Sequence, residues 1–237
     1  MRTWVIPDVH GCANTLKSLI ENLLQPNSDD TIYFLGDLID RGDKSKEVID
    51  YIQSLKYGGI TTQVIKGNHE YYLIETYKAE SNKSFLKKKL NIRSYIYKEW
   101  LRHGGKSTLE SFGVSSPSQL PEKYVNYLDE LPYYIEIDDY YIVHAGFNFA
   151  NEDIFSDKHS MMWIRDYEID KDKLNGKKII HGHVPVPLDF IHQNLNNNMY
   201  DFIDIDNGVY MKDRPNYGNL LALEVNTLKL HIQPNID

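Results

Sequence analysis

Cysteine is almost absent: Cys12 is the only one in 237 residues, so no disulfide can close within the chain. Long apolar runs are missing as well. No stretch reaches the ~18 apolar residues a membrane helix needs. Pro7 and Asp8 follow Met1 too soon for the apolar segment of a signal peptide. Positive charge is in deficit, with 26 Lys and Arg against 34 Asp and Glu and a net charge of −8. That balance argues against a surface that grips nucleic acid or anionic lipid through charge alone. These shortages point to a reduced, cytoplasmic, water-soluble protein with neither a nucleic-acid nor a membrane partner. The bulk composition, 41% hydrophobic and 25% charged, supports a sizeable core without staples. Tyrosine is in excess at 18 copies, which reads as half-wet packing rather than as chemistry.

Short β-type runs alternate with amphipathic segments in the first third. Residues 3–6 read as a strand that stops at Pro7. Leu16, Leu19, Ile20, Leu23 and Leu24 recur at helical spacing, which predicts one amphipathic helix over 13–24, ended by Pro26. Strands at 31–35 and 61–65 flank a helix carried by Val48, Ile49, Ile52 and Leu55. The order β-α-β-α-β predicts a layered α/β fold. Residues 71–131 read as helical and polar, with Lys87-Lys88-Lys89 on a solvated helix face. Strands return at 133–137, 140–143, 178–181, 201–205 and 220–232, the last as a hairpin with a tight turn at Asn226-Thr227. No linker or repeat interrupts this order, so a single domain over 1–237 is expected, with a helical insertion at about 71–131.

Polar residues gather where the strands end. The first strand runs into Asp8-Val9-His10-Gly11, the second into Gly36-Asp37-Leu38-Ile39-Asp40-Arg41-Gly42 and the third into Gly67-Asn68-His69-Glu70. Later strands run into His144-Ala145-Gly146 and His181-Gly182-His183. Sites on α/β sheets form beyond the carboxyl ends of strands, so five strand ends deliver Asp, Asn or His to one edge. Taken singly, an Asp-x-His pair reads as a turn and Asn-His as a helix cap. Together they suggest a hydrolytic site for two metal ions. Imidazole and carboxylate suit Mn, Fe and Zn, and two ions a few ångströms apart need a shared carboxylate. Asp8 and His10, two apart in an extended turn, can face one ion; Asp37 can bridge; Asn68, His144 and His183 can complete the second.

At these residues the chain resembles the calcineurin-like metallophosphoesterases, and within them the phosphoprotein phosphatases of short bacterial and lambda-phage type. The motifs are DVHG (8–11), GDLIDRG (36–42), GNHE (67–70), HAG (144–146) and HGHVPV (181–186). Trp100 to Leu109 is similar to the WLxNGGxxTL segment of bacterial members, and Ile203 to Gly208 to their IDTG motif. The resemblance implies a four-layer α-β-β-α sandwich and a dinuclear centre, Mn²⁺ first and Fe, Zn or Ni as alternatives. It implies that His69 is the general acid, that Asp40 orients it, and that Arg41 and Arg165 clamp the phosphoryl group. The function implied is hydrolysis of phosphoserine and phosphothreonine, with phosphotyrosine in reach, on a protein or peptide. A symmetrical diadenosine tetraphosphate hydrolase, acting on a small dinucleoside polyphosphate, is the alternative on the same motifs. A non-catalytic docking module is disfavoured because every matched position is filled. Pro7, His103 and Asn207 stand where relatives often carry other residues.

The remaining candidates read as structural. His181 reads as packing behind His183, His103 as surface, Glu70 as a loop anchor and Cys12 as a small buried hydrophobe, against the option of a thiol activated near a helix start.

Overall fold

Alternation along each strand sorts the core into layers. In β1 (Thr3–Ile6), Trp4 and Ile6 join one apolar cluster and Val5 joins another. In β2 (Thr31–Phe34), Ile32 and Phe34 go with the first and Tyr33 with the second. Successive strand side chains point to opposite faces, so this sheet is covered on both sides. The computed structural model describes residues 1–82, 94–197 and 199–237. The expected basic run at Lys87-Lys88-Lys89 lies outside the described residues.

β1 and β2 pair in parallel, as do β2 and β3 (Thr61–Val64). The antiparallel strands β8 (Asn219–Glu224) and β9 (Lys229–Pro234) extend the sheet to the order β3-β2-β1-β8-β9. A second sheet holds β4 (Tyr134–Ile137), β5 (Tyr140–Val143), β6 (Lys178–His181) and β7 (Phe202–Asp204), in that order. Val5, Leu35, Ile65 and Leu223 share one buried cluster with Ile142, Ile180 and Ile203, so the sheets pack face to face.

Helices cover the outer face of the first sheet: α1 (Ala13–Ser18), α2 (Ser45–Tyr57), α3 (Asn68–Ser81), α4 (Tyr95–Arg102), α5 (Gly105–Ser111) and α6 (Glu122–Asp129). Beyond the second sheet, Tyr141, Val143 and Ile179 meet Phe147, Ile154, Leu174 and Met161 of α7 (Lys158–Trp163). The arrangement is the expected four-layer sandwich. No helix among the described residues is long and apolar enough to cross a membrane.

Two local expectations are corrected. The helix at 13–24 changes form: α1 ends at Ser18, and Leu19–Leu24 winds as a π-helix closed by Gln25 N–H on Ile20 O at 2.8 Å. The wider turn brings Leu24 onto the face of Leu19 and turns Leu23 outward, 43% exposed. The final hairpin has a longer turn than two residues. Glu224 pairs with Lys229, so 225–228 make the connection, and Val225 N–H bonds Thr3 O of β1 at 2.8 Å instead.

Candidate metal centre

The turns after β1, β2, β3, β5 and β6 meet around one carboxylate. Asp37 Oδ2 lies 3.8 Å from His10 Nε2, 3.8 Å from His69 Nε2 and 3.5 Å from His144 Nε2. His10 Nε2 is 3.9 Å from Asp8 Oδ2. His144 Nε2 is 3.0 Å from Asn68 Oδ1 and 3.1 Å from His183 Nδ1, which is itself 3.0 Å from Asn68 Oδ1. Asp8, His10, Asp37, Asn68, His69 and His144 are all buried. Among the described residues, two groups therefore have ligand atoms close enough to share a cation: His10, Asp37 and His69, and Asp37, His144 and His183. Asp37 belongs to both, whereas Asp8 is in neither and His69 stands beside His10 instead.

The donor chemistry fits cations. His10 Nδ1 donates to Ile39 O at 2.9 Å and His144 Nδ1 to Leu35 O at 2.8 Å. Those bonds fix the tautomer and leave each Nε2 lone pair facing the cluster, as in ligating histidines. Burial, helped by Arg41 and His69, lowers the pKa of His10; burial and His144 take His183 down to about 3. At His10 and His183 burial thus favours the neutral ring, the form that ligates. Burial, with Asp206 and Asp37 adding to it, raises Asp8. Burial opposes the charge on Asp37 too, but His144, His69 and His10 outweigh it and lower its pKa. Asp8 Oδ2 and Asp206 Oδ2 are buried with no hydrogen-bond partner among the described residues, a costly state for a carboxylate unless a cation shares the space. A Cβ on Gly182 would stand 2.6 Å from Asp8 Oδ1, so the second sheet closes on Asp8 only because that residue is glycine.

The backbone here is held in unfavourable conformations. His10, Asp37, Asp40, Arg41 and His183 all have positive φ, from 44° to 74°, in the left-handed region that non-glycine residues seldom occupy. The extended turn expected at Asp8–His10 is therefore tighter than that. Glu70 supplies part of the restraint. Its carboxylate accepts from Asp37 N, Leu38 N and Gly67 N at 2.8–2.9 Å, the anchoring role expected of it. Burial and Asp37 raise its pKa to about 7. His69 N–H donates to Asp37 Oδ1 at 3.0 Å, which aims the positive end of α3 at that carboxylate.

Beside the cluster, His69 Nδ1 donates to Asp40 Oδ2 at 2.7 Å, and Arg41 Nη2 lies 3.4 Å from His69 Nε2. Burial opposes a charged ring at His69, but Asp37 and the bond to Asp40 raise its pKa overall. Asp40 is itself pinned by Trp100 Nε1–H on Oδ2 at 2.8 Å and Thr108 Oγ1–H on Oδ1 at 2.5 Å. Arg41 stands 4.1 Å over the ring of Tyr210. The sequence marks the Trp100–Leu109 and Ile203–Gly208 segments by resemblance alone, without a role for Trp100, Thr108 or Asp206, and nothing in it marks Tyr210.

Arg165 is exposed, and its charge reaches His183; it stands apart from the buried cluster. His103 is exposed, as a surface reading expects, and its ring stacks on Tyr72 and lies 6.1 Å from that of His69. Cys12 is buried, and burial with Asp237 pushes its thiol up to about 12, so no activated thiol is present there.

Known proteins resemble the chain in sequence and in fold. One relative, the symmetrical bis(5'-nucleosyl)-tetraphosphatase of Buchnera aphidicola subsp. Baizongia pistaciae, is 39% identical over 108 residues, 43% of this chain and 37% of that protein. The enzyme of the same description from Pasteurella multocida is 37% identical over 76 residues, 32% of this chain and 26% of that protein. The chain thus matches only about a quarter to just over a third of the length of these relatives. Among solved structures, the cold-active protein-tyrosine phosphatase of a psychrophilic Shewanella aligns with TM-score 0.62 at 16% identity, covering 98% of this chain and 80% of that one. At such identity the likeness speaks for the fold. The model of the calcineurin-like phosphoesterases matches residues 1–211, and the chain therefore belongs to that family of phosphoester hydrolases, whose fold carries a dinuclear divalent-metal centre.

Proposed function

We propose that Asp8, His10 and Asp37 hold one divalent cation and that Asp37, Asn68, His144 and His183 hold a second. Mn²⁺ is the ion assigned first, with Fe, Zn or Ni as alternatives for the same donors. Such a pair supplies Lewis-acid charge and a nucleophile drawn from water at neutral pH. The remaining steps fall to the chain's own groups. Arg41 and Arg165 bind the non-bridging oxygens of the phosphoryl group. His69, oriented by Asp40 at Nδ1, gives the proton at Nε2 to the departing oxygen. Although His69 lies within ligand distance of Asp37, the guanidinium of Arg41 beside Nε2 disfavours a cation on that nitrogen. The observation that carries this reading is the carboxylate of Asp37, common to both ligand groups and 3.8 Å from the Asp40-oriented His69.

For the substrate we place dinucleoside polyphosphates first, because the relatives matched in sequence bear that activity in their names. This reverses the order suggested by the motifs alone. Phosphoserine and phosphothreonine on proteins are the second reading, favoured by the likeness of the Trp100–Leu109 segment to bacterial protein phosphatases. The docking-module reading is set aside because no ligand position is vacant in the sequence. Cytoplasmic operation follows from the low cysteine content and the acidic, polar composition. Steady-state assays of diadenosine tetraphosphate and a phosphoserine peptide, run together with Mn²⁺, test the assignment. A larger kcat/KM for the dinucleotide, with symmetrical cleavage, is expected. A larger value for the peptide selects the second reading, and no turnover of either with any of the four metals ends both.

A further inference from the structure

A cavity of about 850 Å³ adjoins the centre on the side of the second sheet, within the ~300–1,000 Å³ range of small-molecule sites. Ala145 and Gly182 form part of its wall, each one residue from the proposed ligands His144 and His183, and Arg165 stands among its lining residues. Aromatic rings run along it without a break. Ring centroids are 6.5 Å apart from Tyr167 to His181, 5.4 Å from His181 to Phe202, 5.5 Å from Phe202 to Tyr200 and 6.1 Å from Tyr200 to Phe190. All five are only half-buried, unlike Phe147 in the adjacent core. Partly wet rings lining a cavity offer faces on which a planar group can stack.

Charge divides the cavity. Among the described residues that line it, Arg165 is the one cation, whereas Asp166, Glu168, Asp201 and Asp204 supply carboxyl groups, Asp201 while paired with Lys171 at 2.9 Å and Asp204 from a buried position. Carboxylates repel phosphate and accept hydrogen bonds from hydroxyl and amino groups. We propose that this cavity is a nucleoside subsite: it takes the base and ribose of a nucleoside polyphosphate while the phosphates reach past Arg165 to the metal centre. Base stacking falls to Tyr200 and Phe190 at the outer end of the aromatic run, and the ribose and amino donors meet the carboxyl groups. A basic peptide is the competing occupant by charge alone. The unbroken aromatic run, with a planar imidazole inside it, favours a flat heteroaromatic ring.

This proposal rests on the polyphosphate reading of the function, and the test separates the two. Adenosine, which carries no phosphate, is titrated into the full chain stripped of metal and followed by saturation-transfer NMR. Wild type is expected to bind, and Tyr200→Ala and Phe190→Ala to lose the signal. With Mn²⁺ restored, each variant is expected to lower the ratio of kcat/KM for diadenosine tetraphosphate to that for p-nitrophenyl phosphate by about tenfold or more, the scale of one lost base–aromatic stack. Activity on p-nitrophenyl phosphate also reports that the variants have folded. Absence of adenosine binding to wild type overturns the subsite. So does an unchanged ratio, or a loss seen only with a basic phosphopeptide. If wild type hydrolyses nothing yet binds adenosine through Tyr200 and Phe190, the catalytic reading fails and the subsite stands.

Discussion

The two sheets contribute to the centre unequally. The first delivers Asp8, His10, Asp37, Asn68 and the His69–Asp40 pair on short turns. Those turns are tied down by Glu70, Trp100 and Thr108 through bonds of 2.5–2.9 Å. The second delivers His144 and His183, and His144 is steered by a carbonyl of the first sheet, Leu35 O. Beyond them the second sheet opens onto an aromatic, acidic cavity. On the proposed reading, the first side holds the reacting groups and the second the contacts that choose what enters, which would separate reaction chemistry from substrate choice in space, as expected of a fold that serves many substrates.

The sharpest break of this contrast is at the hub. Asp37→Ala is expected to remove both ions and to reduce turnover to background, read by elemental analysis of the purified chain. Two ions per chain in that variant would remove Asp37 from its bridging place. His69→Asn should leave the ions bound and lower kcat by about 10²–10⁴. An equal loss of metal would move His69 from proton donor to ligand.

Trp100→Phe probes the tie rather than the reacting group. Release of Asp40 Oδ2 is expected to lower kcat by about 10–100-fold with metal retained, the scale of lost outer-shell support. Burial opposes a protonated His69, and Asp37 and Asp40 raise its pKa. An acid works only while protonated, so activity falls as pH rises through that pKa. Loosening Asp40 should therefore shift the alkaline limb of kcat to lower pH. A limb that stays in place while kcat falls would indicate general disorder instead.

Chelation tests both sheets at once. Binding at about 100 times Kd is worth about 2.7 kcal/mol, so EDTA should lower Tm by about 5–10 °C, and Mn²⁺ should restore it. Cys12 gives the smallest effect. With its thiol at about 12, alkylation of the native chain at pH 8 should be far slower than after unfolding, where an ordinary thiol of pKa ~8.5 reacts.

Much of this arrangement was legible from residue order. β1, β2 and β3 appeared as β-branched or aromatic runs stopped by Pro7, Gly36 and Gly67, and the ligand candidates follow those stops directly. The division into two sheets was not legible from periodicity, since alternation reports that a strand has two faces but not which neighbour covers them. The layering came from family resemblance. Leu23 turns outward because Leu19–Leu24 winds as a π-helix, a form that a stripe at positions 16, 19, 20, 23 and 24 does not distinguish from an α-helix. Trp100, Thr108 and Tyr210 act on the centre across 60 or more residues of chain. Nothing local marks such contacts.

His10, Asp37, Asp40, Arg41 and His183 sit in a backbone region that costs about 1–2 kcal/mol for each residue with a Cβ. Their sum is comparable with the ~5–15 kcal/mol by which a whole domain stays folded. Glycine would relax any one of these positions, and at each it would delete a side chain that the proposed chemistry needs. Selection for heat tolerance alone, without a demand for turnover, should therefore drift toward glycine along this edge and yield a sturdier but inert protein.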